Sequence, residues 1–227
     1  MNKTTIKKVV RNHSVLLSRI YNWFCFNKKI IKGSGNVIKK DGAFLNHCRI
    51  RIIGDNNTLL LNYRGGDDFY SRLYNCHFNI IGSNNVIEIG TCSILLDVTF
   101  TMYNNNNEIR VGRDFDCHSQ TELAALEGTK IIIGNDALFS ANIKFRTGDS
   151  HSVLDCQTGV RTNHSKDIVL GDHVWVGNSV IVLKGANIGD HSIVAIGSVV
   201  PGKTYPANSV IGGNPAKVIK SNVDWRH

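Results

Sequence analysis

The first 40 residues of the chain contain no aspartate or glutamate, although they contain ten lysines and arginines. The whole chain has 26 basic and 18 acidic side chains, so the rest of it holds 16 basic residues against 18 acidic ones. The formal charge of +8 therefore belongs to the N-terminal segment and not to the body of the chain. No motif that interleaves aromatic and basic residues accompanies this segment, so we expect no nucleic-acid partner.

Proline is scarce, with three residues, whereas glycine occurs 21 times and asparagine is abundant. This composition favours a turn-rich β architecture over a helix bundle. None of the six cysteines forms a CxxC pair, and the apolar stretch near the N-terminus is interrupted by Arg11, His13 and Arg19. We therefore expect no cleavable signal peptide, no transmembrane helix, and free thiols in a reducing, cytoplasmic compartment.

A six-residue repeat runs from Leu170 to Tyr205. The six hexads LGDHVW, VGNSVI, VLKGAN, IGDHSI, VAIGSV and VPGKTY all begin with an aliphatic residue. A short strand and a tight corner use about six residues, so three hexads make one triangular coil of about 18 residues whose aliphatic side chains stack on those of the next coil. An antiparallel sheet would instead show a period of two and hairpin turns. The repeat predicts an all-β fold, a parallel β-helix over roughly residues 45–212.

The repeat also divides the chain into segments. Its phase breaks between Phe145 and Leu170, which predicts a loop at about 146–167 inserted into a β-helix domain spanning 41–212. Residues 213–227 are expected to form a C-terminal tail. Residues 1–40 carry an apolar helical stripe among cations, and we predict a short helical segment that caps the open end of the solenoid. The alternative is a basic amphipathic helix that contacts the inner membrane peripherally.

His151 stands at the start of the predicted loop, directly after Asp149 and Ser150. An alcohol loses a proton as it attacks a thioester, and a neutral imidazole can accept that proton and pass it to the leaving thiolate. Asp149 or a backbone carbonyl would fix the imidazole tautomer. A single histidine is more often a polar surface residue, but a position where a rigid repeat is interrupted favours a catalytic role for His151.

Three strings of the sequence resemble the hexapeptide-repeat acetyltransferases: FRTGDSHSVLDCQTGVRTN, KDIVLGDHVWVGNSVIVLKGANIGDHSIVAIGSVV and IGGNPAKVIK. The resemblance covers roughly residues 130–220, and the branch that looks most similar modifies bacterial surface polysaccharides and includes the polysialic acid O-acetyltransferases. It implies a left-handed β-helix that transfers an acetyl group from acetyl-CoA to a sugar hydroxyl. It also implies that His151 is the catalytic base and that Trp175, in the Gly-Asp-x-x-Trp motif, is a second active-site residue.

The resemblance further implies a homotrimer, because the family binds CoA in the groove between neighbouring subunits. Backbone groups of the late coils would hold the pantetheine arm, and lysines near the C-terminus would meet the phosphates. The implied CoA-binding residues are Asn178, Ala195, Gly197, Ser198, Lys203, Lys217 and Lys220.

Four charged residues in and around the predicted loop are candidates for binding the carbohydrate acceptor: Arg146, Asp149, Arg161 and Lys166. The three cations would suit an anionic sugar, such as one that carries a sialic acid carboxylate.

Other functions compete with this interpretation. The acceptor is alternatively a small molecule, such as a nucleotide-sugar amine, serine or a simple sugar. A non-enzymatic β-helix scaffold would not require His151, Trp175 and the GGNPAK string together. A zinc carbonic anhydrase on this fold needs three histidines, two of them five residues apart, and no pair among the nine histidines has that spacing, so we expect no metal.

Overall fold

The computed structural model describes residues 15–63 and 70–227. Residues 15–24 form a helix, α1, and 25 short strands follow it. The N-terminal cations Lys3, Lys7, Lys8 and Arg11 lie outside the described residues.

Every third strand joins the same parallel sheet, so the chain winds around three flat faces. The first sheet contains β1 (Lys28–Lys32), β4 (Arg49–Ile53), β7 (His77–Ile81), β10 (Val98–Tyr103), β13 (Thr121–Leu126), β16 (Lys144–Arg146), β19 (Ile181–Leu183) and β22 (Val199–Val200). The second sheet contains β2 (Val37–Lys39), β5 (Thr58–Tyr63), β8 (Val86–Gly90), β11 (Glu108–Val111), β14 (Lys130–Ile133), β17 (Ile168–Leu170), β20 (Asn187–Ile188) and β23 (Thr204–Tyr205). The third sheet contains β3 (Phe44–Asn46), β6 (Arg72–Tyr74), β9 (Ile94–Leu96), β12 (Asp116–Cys117), β15 (Leu138–Phe139), β18 (Trp175–Val176), β21 (Ile193–Val194), β24 (Ser209–Gly213) and β25 (Ala216–Ser221).

This architecture confirms the predicted left-handed parallel β-helix. The exception to parallel pairing is β25, which turns back and pairs antiparallel with β24. We call the bend from the first sheet to the second the first corner, that from the second to the third the second corner, and that from the third back to the first the third corner.

The coils are not uniform in length. Hydrogen-bonded partners of successive coils lie 22 residues apart for Asn85 and Asn107 but 18 apart for Asp172 and Asp190. The predicted coil of about 18 residues therefore holds only for the late coils. The early coils are longer because several of their strands have five or six residues, whereas the late strands β18 to β23 have two or three. The six-residue period is correspondingly absent from the early sequence.

The solenoid also begins earlier than the sequence indicated. Residues 28–39, expected to belong to the N-terminal helical segment, form β1 and β2 of the first coil, and β1 pairs with β4 over its whole length. This coil lies at the end of the solenoid, and most side chains of β1 are exposed. An exposed coil does not need the apolar alternation that marks a strand in sequence, and this is why the pattern was misleading.

Helix α1 packs on this first coil. The Asn22 side chain donates to the carbonyl of Ala43 (2.9 Å) and accepts from the amide of Leu45 (2.7 Å). The rings of Tyr21 and Phe44 meet edge to face with centroids 5.4 Å apart. These contacts place α1 against the first coil, and its capping role stays a prediction. In the part of the chain that the structure describes, no helix has both the length and the apolar character needed to cross a bilayer.

A buried ladder of asparagines lines the first corner of the early coils. The amide of Asn57 donates to Asn36 (3.0 Å), that of Asn85 to Asn57 (3.0 Å), and that of Asn107 to Asn85 (2.9 Å). Each amide both donates and accepts, so the ladder satisfies its own polar groups inside the core. The residue before each ladder position, such as Asn56 with φ of 56°, takes the left-handed conformation that asparagine tolerates. The Gly-x-Asn-Asn motifs thus encode this corner.

Candidate active site

The inserted loop leaves the solenoid at the first corner, between β16 and β17. One side chain ties its two ends together: Asn163 donates to the carboxylate of Asp149 (2.8 Å) and to the carbonyl of His151 (2.8 Å). Asn163 also accepts from the amide of Val153 (2.7 Å). We call this point, residues 149–151 together with Asn163, the neck of the loop. Its hydrogen bonds hold the backbone where the chain passes through His151.

The imidazole of His151 is exposed at this neck. Within residues 15–63 and 70–227, its ring nitrogens make no hydrogen bond or ion pair, so they are open to a substrate. The expected tautomer-fixing contact with Asp149 is not formed, because the Asp149 carboxylate binds Lys184 and Asn163 instead. The ammonium group of Lys184 holds the pKa of Asp149 below its usual range.

Lys184 was missed in the sequence, yet it is central to the neck. Besides the Asp149 carboxylate, it donates to the carbonyl of Asn163 (3.0 Å), and so joins the loop to the coil that follows it. A groove of about 410 Å³ opens beside it, between the neck and the bend at Pro201 and Gly202. Arg146 lines the same groove.

The cations predicted to bind the acceptor differ in their surroundings. Arg161 donates to both oxygens of Glu127 (2.9 and 3.0 Å), which lowers the pKa of Glu127, and the pair anchors the far side of the loop. Arg146 donates to the hydroxyl of Ser150 (3.1 Å). Lys166 is exposed where the loop rejoins the solenoid. Lys166 is therefore open to solvent and Arg146 is half-buried beside Ser150, whereas Arg161 already has an acidic partner.

Trp175 lies on the outer face of the third sheet. In β18 its neighbour Val176 points into the core, and Trp175 itself is 37% exposed, paired in register with Leu138 and Ile193. The third sheet lies opposite the first corner in a three-sided solenoid. Within one chain the structure therefore does not bring Trp175 together with His151.

Most of the predicted CoA-binding residues gather at the third corner of the late coils. Gly197 donates its amide to the carbonyl of Asn178 (2.9 Å), and the Ser198 hydroxyl donates to the carbonyl of Ala195 (2.6 Å). The exposed Lys217 and Lys220 lie on β25, at the end of the third sheet. Lys203 is apart from this group, because it precedes β23 at the first corner.

A histidine and aspartate cluster occupies the second corner. His173 contacts Asp136 through Nδ1 (2.6 Å) and the carbonyl of Trp225 through Nε2 (3.0 Å). Burial lowers the pKa of His173, but the hydrogen bonds to the Trp225 carbonyl and to Asp136 outweigh it, so the pKa is raised. Doubly protonated His173 donates to both partners.

His173, His191 and Asp224 place three potential metal-ligand atoms within 4.8 Å of one another. Each of these side chains is already bound within the protein: His173 as above, and His191 to Asp224 (3.3 Å). We assign no metal to them. No local motif in the sequence marks the cluster, because its members come from distant coils.

No family model matches the chain. A polysialic acid O-acetyltransferase of Neisseria meningitidis is 30% identical over 166 residues, which cover 64% of this chain and 77% of that protein. A polysialic acid O-acetyltransferase of Escherichia coli O1:K1 / APEC is 33% identical over 95 residues, 42% of this chain and 31% of that protein. The galactoside O-acetyltransferase of E. coli K12 is 30% identical over 118 residues, 52% of this chain and 56% of that protein.

Solved structures agree on the fold. The polysialic acid O-acetyltransferase OatWY superposes with a TM-score of 0.72 at 23% identity, covering 88% of this chain and 91% of that one. The polySia-specific acetyltransferase NeuO superposes with a TM-score of 0.58 at 22% identity, covering 88% and 89%. The repeat, the solenoid and these similarities lead to one conclusion: the chain belongs to the family of hexapeptide-repeat acetyltransferases that includes the polysialic acid O-acetyltransferases.

Proposed function

We propose that the protein transfers an acetyl group from acetyl-CoA to a hydroxyl of a bacterial surface polysaccharide, a capsule or an O-antigen. The observation that carries the proposal is the match to the meningococcal polysialic acid O-acetyltransferase over 77% of that relative. The exposed imidazole of His151 at a braced loop neck supports it, because acyl transfer to an alcohol needs a base that a substrate can reach.

In this mechanism His151 accepts the proton of the acceptor hydroxyl as its oxygen attacks the thioester carbonyl. A carbon–oxygen bond forms, the carbon–sulfur bond breaks, and the imidazolium returns the proton to the departing CoA thiolate. Asn163 and Lys184 fix the loop backbone on which His151 stands, through the carbonyl contacts described above. Binding the two substrates in the correct orientation supplies much of the rate enhancement.

We propose a homotrimer as the active form. The outer face of the third sheet carries a row of partly exposed apolar side chains, Leu138, Trp175 and Ile193, which a neighbouring subunit would bury. His151 and Trp175 lie on opposite sides of one chain and would meet only across such an interface. A third-corner groove lined by Asn178 and Gly197 would then hold the pantetheine arm of CoA.

The lysines near the end of the chain fit the remaining part of CoA. Lys217 and Lys220 are exposed on β25, close in the fold to the third corner, and would bind its phosphates. Lys203, at the first corner, would reach CoA only from a neighbouring subunit.

The acceptor is proposed to be anionic, such as a polysaccharide that contains sialic acid. Arg146, which binds Ser150 one residue before His151, and the exposed Lys166 would contact its carboxylates, whereas Arg161 and Asp149 shape the loop through Glu127 and Lys184. The alternative is a small acceptor, favoured by the similarity to a galactoside O-acetyltransferase.

The test is to incubate the protein with labelled acetyl-CoA and, in parallel, polysialic acid, other capsular and O-antigen polysaccharides, and simple galactosides. Label on a polysaccharide supports the proposal, and label only on a galactoside supports the alternative. Absence of transfer, together with no thermal stabilisation by CoA, would instead support a non-enzymatic scaffold.

We propose that the protein works in the cytoplasm and contacts the inner membrane peripherally through its N-terminal segment. Helix α1 leaves Leu17, Ile20 and Phe24 between 50% and 66% exposed, next to the cations of the first coil. An apolar face beside cations suits an anionic bilayer surface. Flotation of the protein with phosphatidylglycerol vesicles but not with phosphatidylcholine vesicles is expected, and equal behaviour with both would contradict the contact.

A further inference from the structure

The last six residues do not leave the solenoid but run back along its second corner, past successive coils. Of the predicted C-terminal tail, residues 216–221 form β25, and we call residues 222–227 the tail. Its contacts are, in order, Val223 with Asn208 (3.0 Å), Asp224 with His191 (3.3 Å), Trp225 with His173 (2.9 Å) and His227 with Asp136 (3.2 Å). The tail thus binds corner residues from four consecutive coils.

Trp225 is the most firmly held residue of the tail. Its side chain donates through Nε1 to the carbonyl of His173 (2.9 Å), and its indole stacks on the imidazole with centroids 4.0 Å apart and planes 7° apart. Its carbonyl accepts from His173 Nε2 (3.0 Å), and its amide donates to Asp224 (2.9 Å). Trp225 is only 7% exposed. A ring fixed at both its polar edge and its flat face has little freedom to turn.

The tail places this fixed indole beside Trp175. The two ring centroids are 6.1 Å apart with planes inclined at 47°, an ordinary separation for interacting aromatic rings. Trp175 itself stands on an outer face and is 37% exposed, so the strand beneath it does not by itself restrict its side-chain torsions. The indole of Trp225 restricts the Trp175 side chain on one side.

We propose that Trp225 is a positioning residue for Trp175, and that the tail is therefore part of the acetyl-transfer site. This inference rests on the proposed function, which gives Trp175 its role there. His173 holds Trp225, Trp225 limits the orientations of Trp175, and Trp175 contacts the reacting groups. Orientation of this kind affects the rate more than the binding of either substrate, because a small misplacement of a contacting group raises the barrier.

A double-mutant cycle tests the inference by its kinetics. Trp225→Ala is expected to lower kcat by roughly 10- to 100-fold with a small change in KM, and Trp225→Phe to recover most of it. Trp225→Ala in a Trp175→Ala background is expected to cost nothing further, because the residue that it positions is gone. Trp23→Ala, which removes an exposed indole on α1, is the matched control and is expected to retain kcat.

Three kinetic outcomes would overturn the inference. If Trp175→Ala lowers kcat but folded Trp225→Ala does not, or if the two losses multiply, Trp225 does not act through Trp175 and the proposed function survives. If Trp175→Ala itself retains wild-type kcat, the role of Trp175 in the proposed function fails as well.

A spectroscopic measurement gives a readout that does not depend on the acceptor. With 5-fluorotryptophan incorporated, the three ¹⁹F resonances are assigned by removing Trp23, Trp175 and Trp225 in turn. In Trp225→Ala the Trp175 resonance is expected to shift and to narrow as the ring gains motion, while that of Trp23 stays in place. An unchanged Trp175 resonance would overturn the inference. If Trp225→Ala does not fold, Trp225→Leu, which keeps apolar volume without the flat ring, is judged by the same criteria.

Discussion

At the scale of single residues, the neck of the loop shows what a sequence can and cannot reveal. His151 was identifiable because it stands where the repeat breaks, and a local motif accompanies it. Lys184 was not, because it lies 35 residues after its partner Asp149 and has no motif of its own. Only the closing of a coil brings the two together, and a distance of that kind is set by the fold and not by local spacing.

Replacing Lys184 tests whether this brace matters. Lys184→Met keeps the aliphatic stem but loses the contacts with Asp149 and the Asn163 carbonyl, so we expect roughly a tenfold loss of kcat through a loosened neck. Lys130→Met is the matched control, because the ammonium group of Lys130 also has an acidic partner, Glu108 at 3.2 Å, and that partner lies on β11 and not in the loop. Equal steady-state kinetics for the two variants would show that the brace has no catalytic role.

At the scale of elements, prediction succeeded where strands and corners repeat with a fixed period. The hexads from Leu170 onwards correspond to the late coils, in which Trp175 pairs with Ile193 of the next coil. The early coils carry longer strands and no six-residue period, so their number and start were not predictable. Their signal was instead the paired asparagines of the first corner, whose ladder role becomes visible only when coils are stacked.

The asparagine ladder should contribute strongly to stability. Asn85→Ala would remove the side-chain hydrogen bonds to Asn57 and Asn107 and would leave the buried backbone amide of Asn107 without its acceptor, so we expect the free energy of unfolding to fall by about 2–4 kcal/mol. Asn187→Ala, at an exposed position on β20, should change it by less than about 0.5 kcal/mol. Urea unfolding followed by circular dichroism measures both, and similar midpoints for the two variants would contradict the account of the ladder.

Docking of the tail should depend on pH. The pKa of His173 is raised in the folded protein. Its contribution to the docking of the tail is therefore complete below the pKa of the unfolded chain and is lost as the pH rises through the folded-state pKa. The other titratable groups of the cluster are Asp136, Asp224, His191 and His227, the last of which contacts Asp136. The pKa values of Asp136 and Asp224 are lowered, so both carboxylates stay ionised over this range. Carboxypeptidase should therefore release the tail faster above this transition than below it.

His173→Gln is the control for that experiment, because it keeps a hydrogen-bonding side chain but cannot carry the charge. The variant should lose the step in digestion rate around the His173 titration. A wild-type digestion rate with no step, after correction for the pH profile of the protease on an unfolded peptide, would contradict the claim that protonated His173 holds the tail.

At the scale of the whole molecule, the separation of His151 from Trp175 predicts an oligomer. We expect a trimer by light scattering coupled to size-exclusion chromatography at micromolar concentration, since a second subunit is needed to bring the two residues together. Trp175→Glu, which puts a charge on the apolar outer face, should weaken the trimer, while Asn187→Ala should leave it intact. A fully active monomer would contradict this arrangement.

The most direct test of the central claim is the steady-state kinetics of His151→Ala, with acetyl-CoA and the polysaccharide that the wild-type protein acetylates. The imidazole is exposed and adds little to the core, so the variant should keep its fold, its oligomeric state and its thermal stabilisation by CoA. Its kcat should fall by roughly 10²–10⁴-fold, the usual effect of removing a positioned base. A folded variant with wild-type turnover would contradict the account and would leave this loop without a catalytic role.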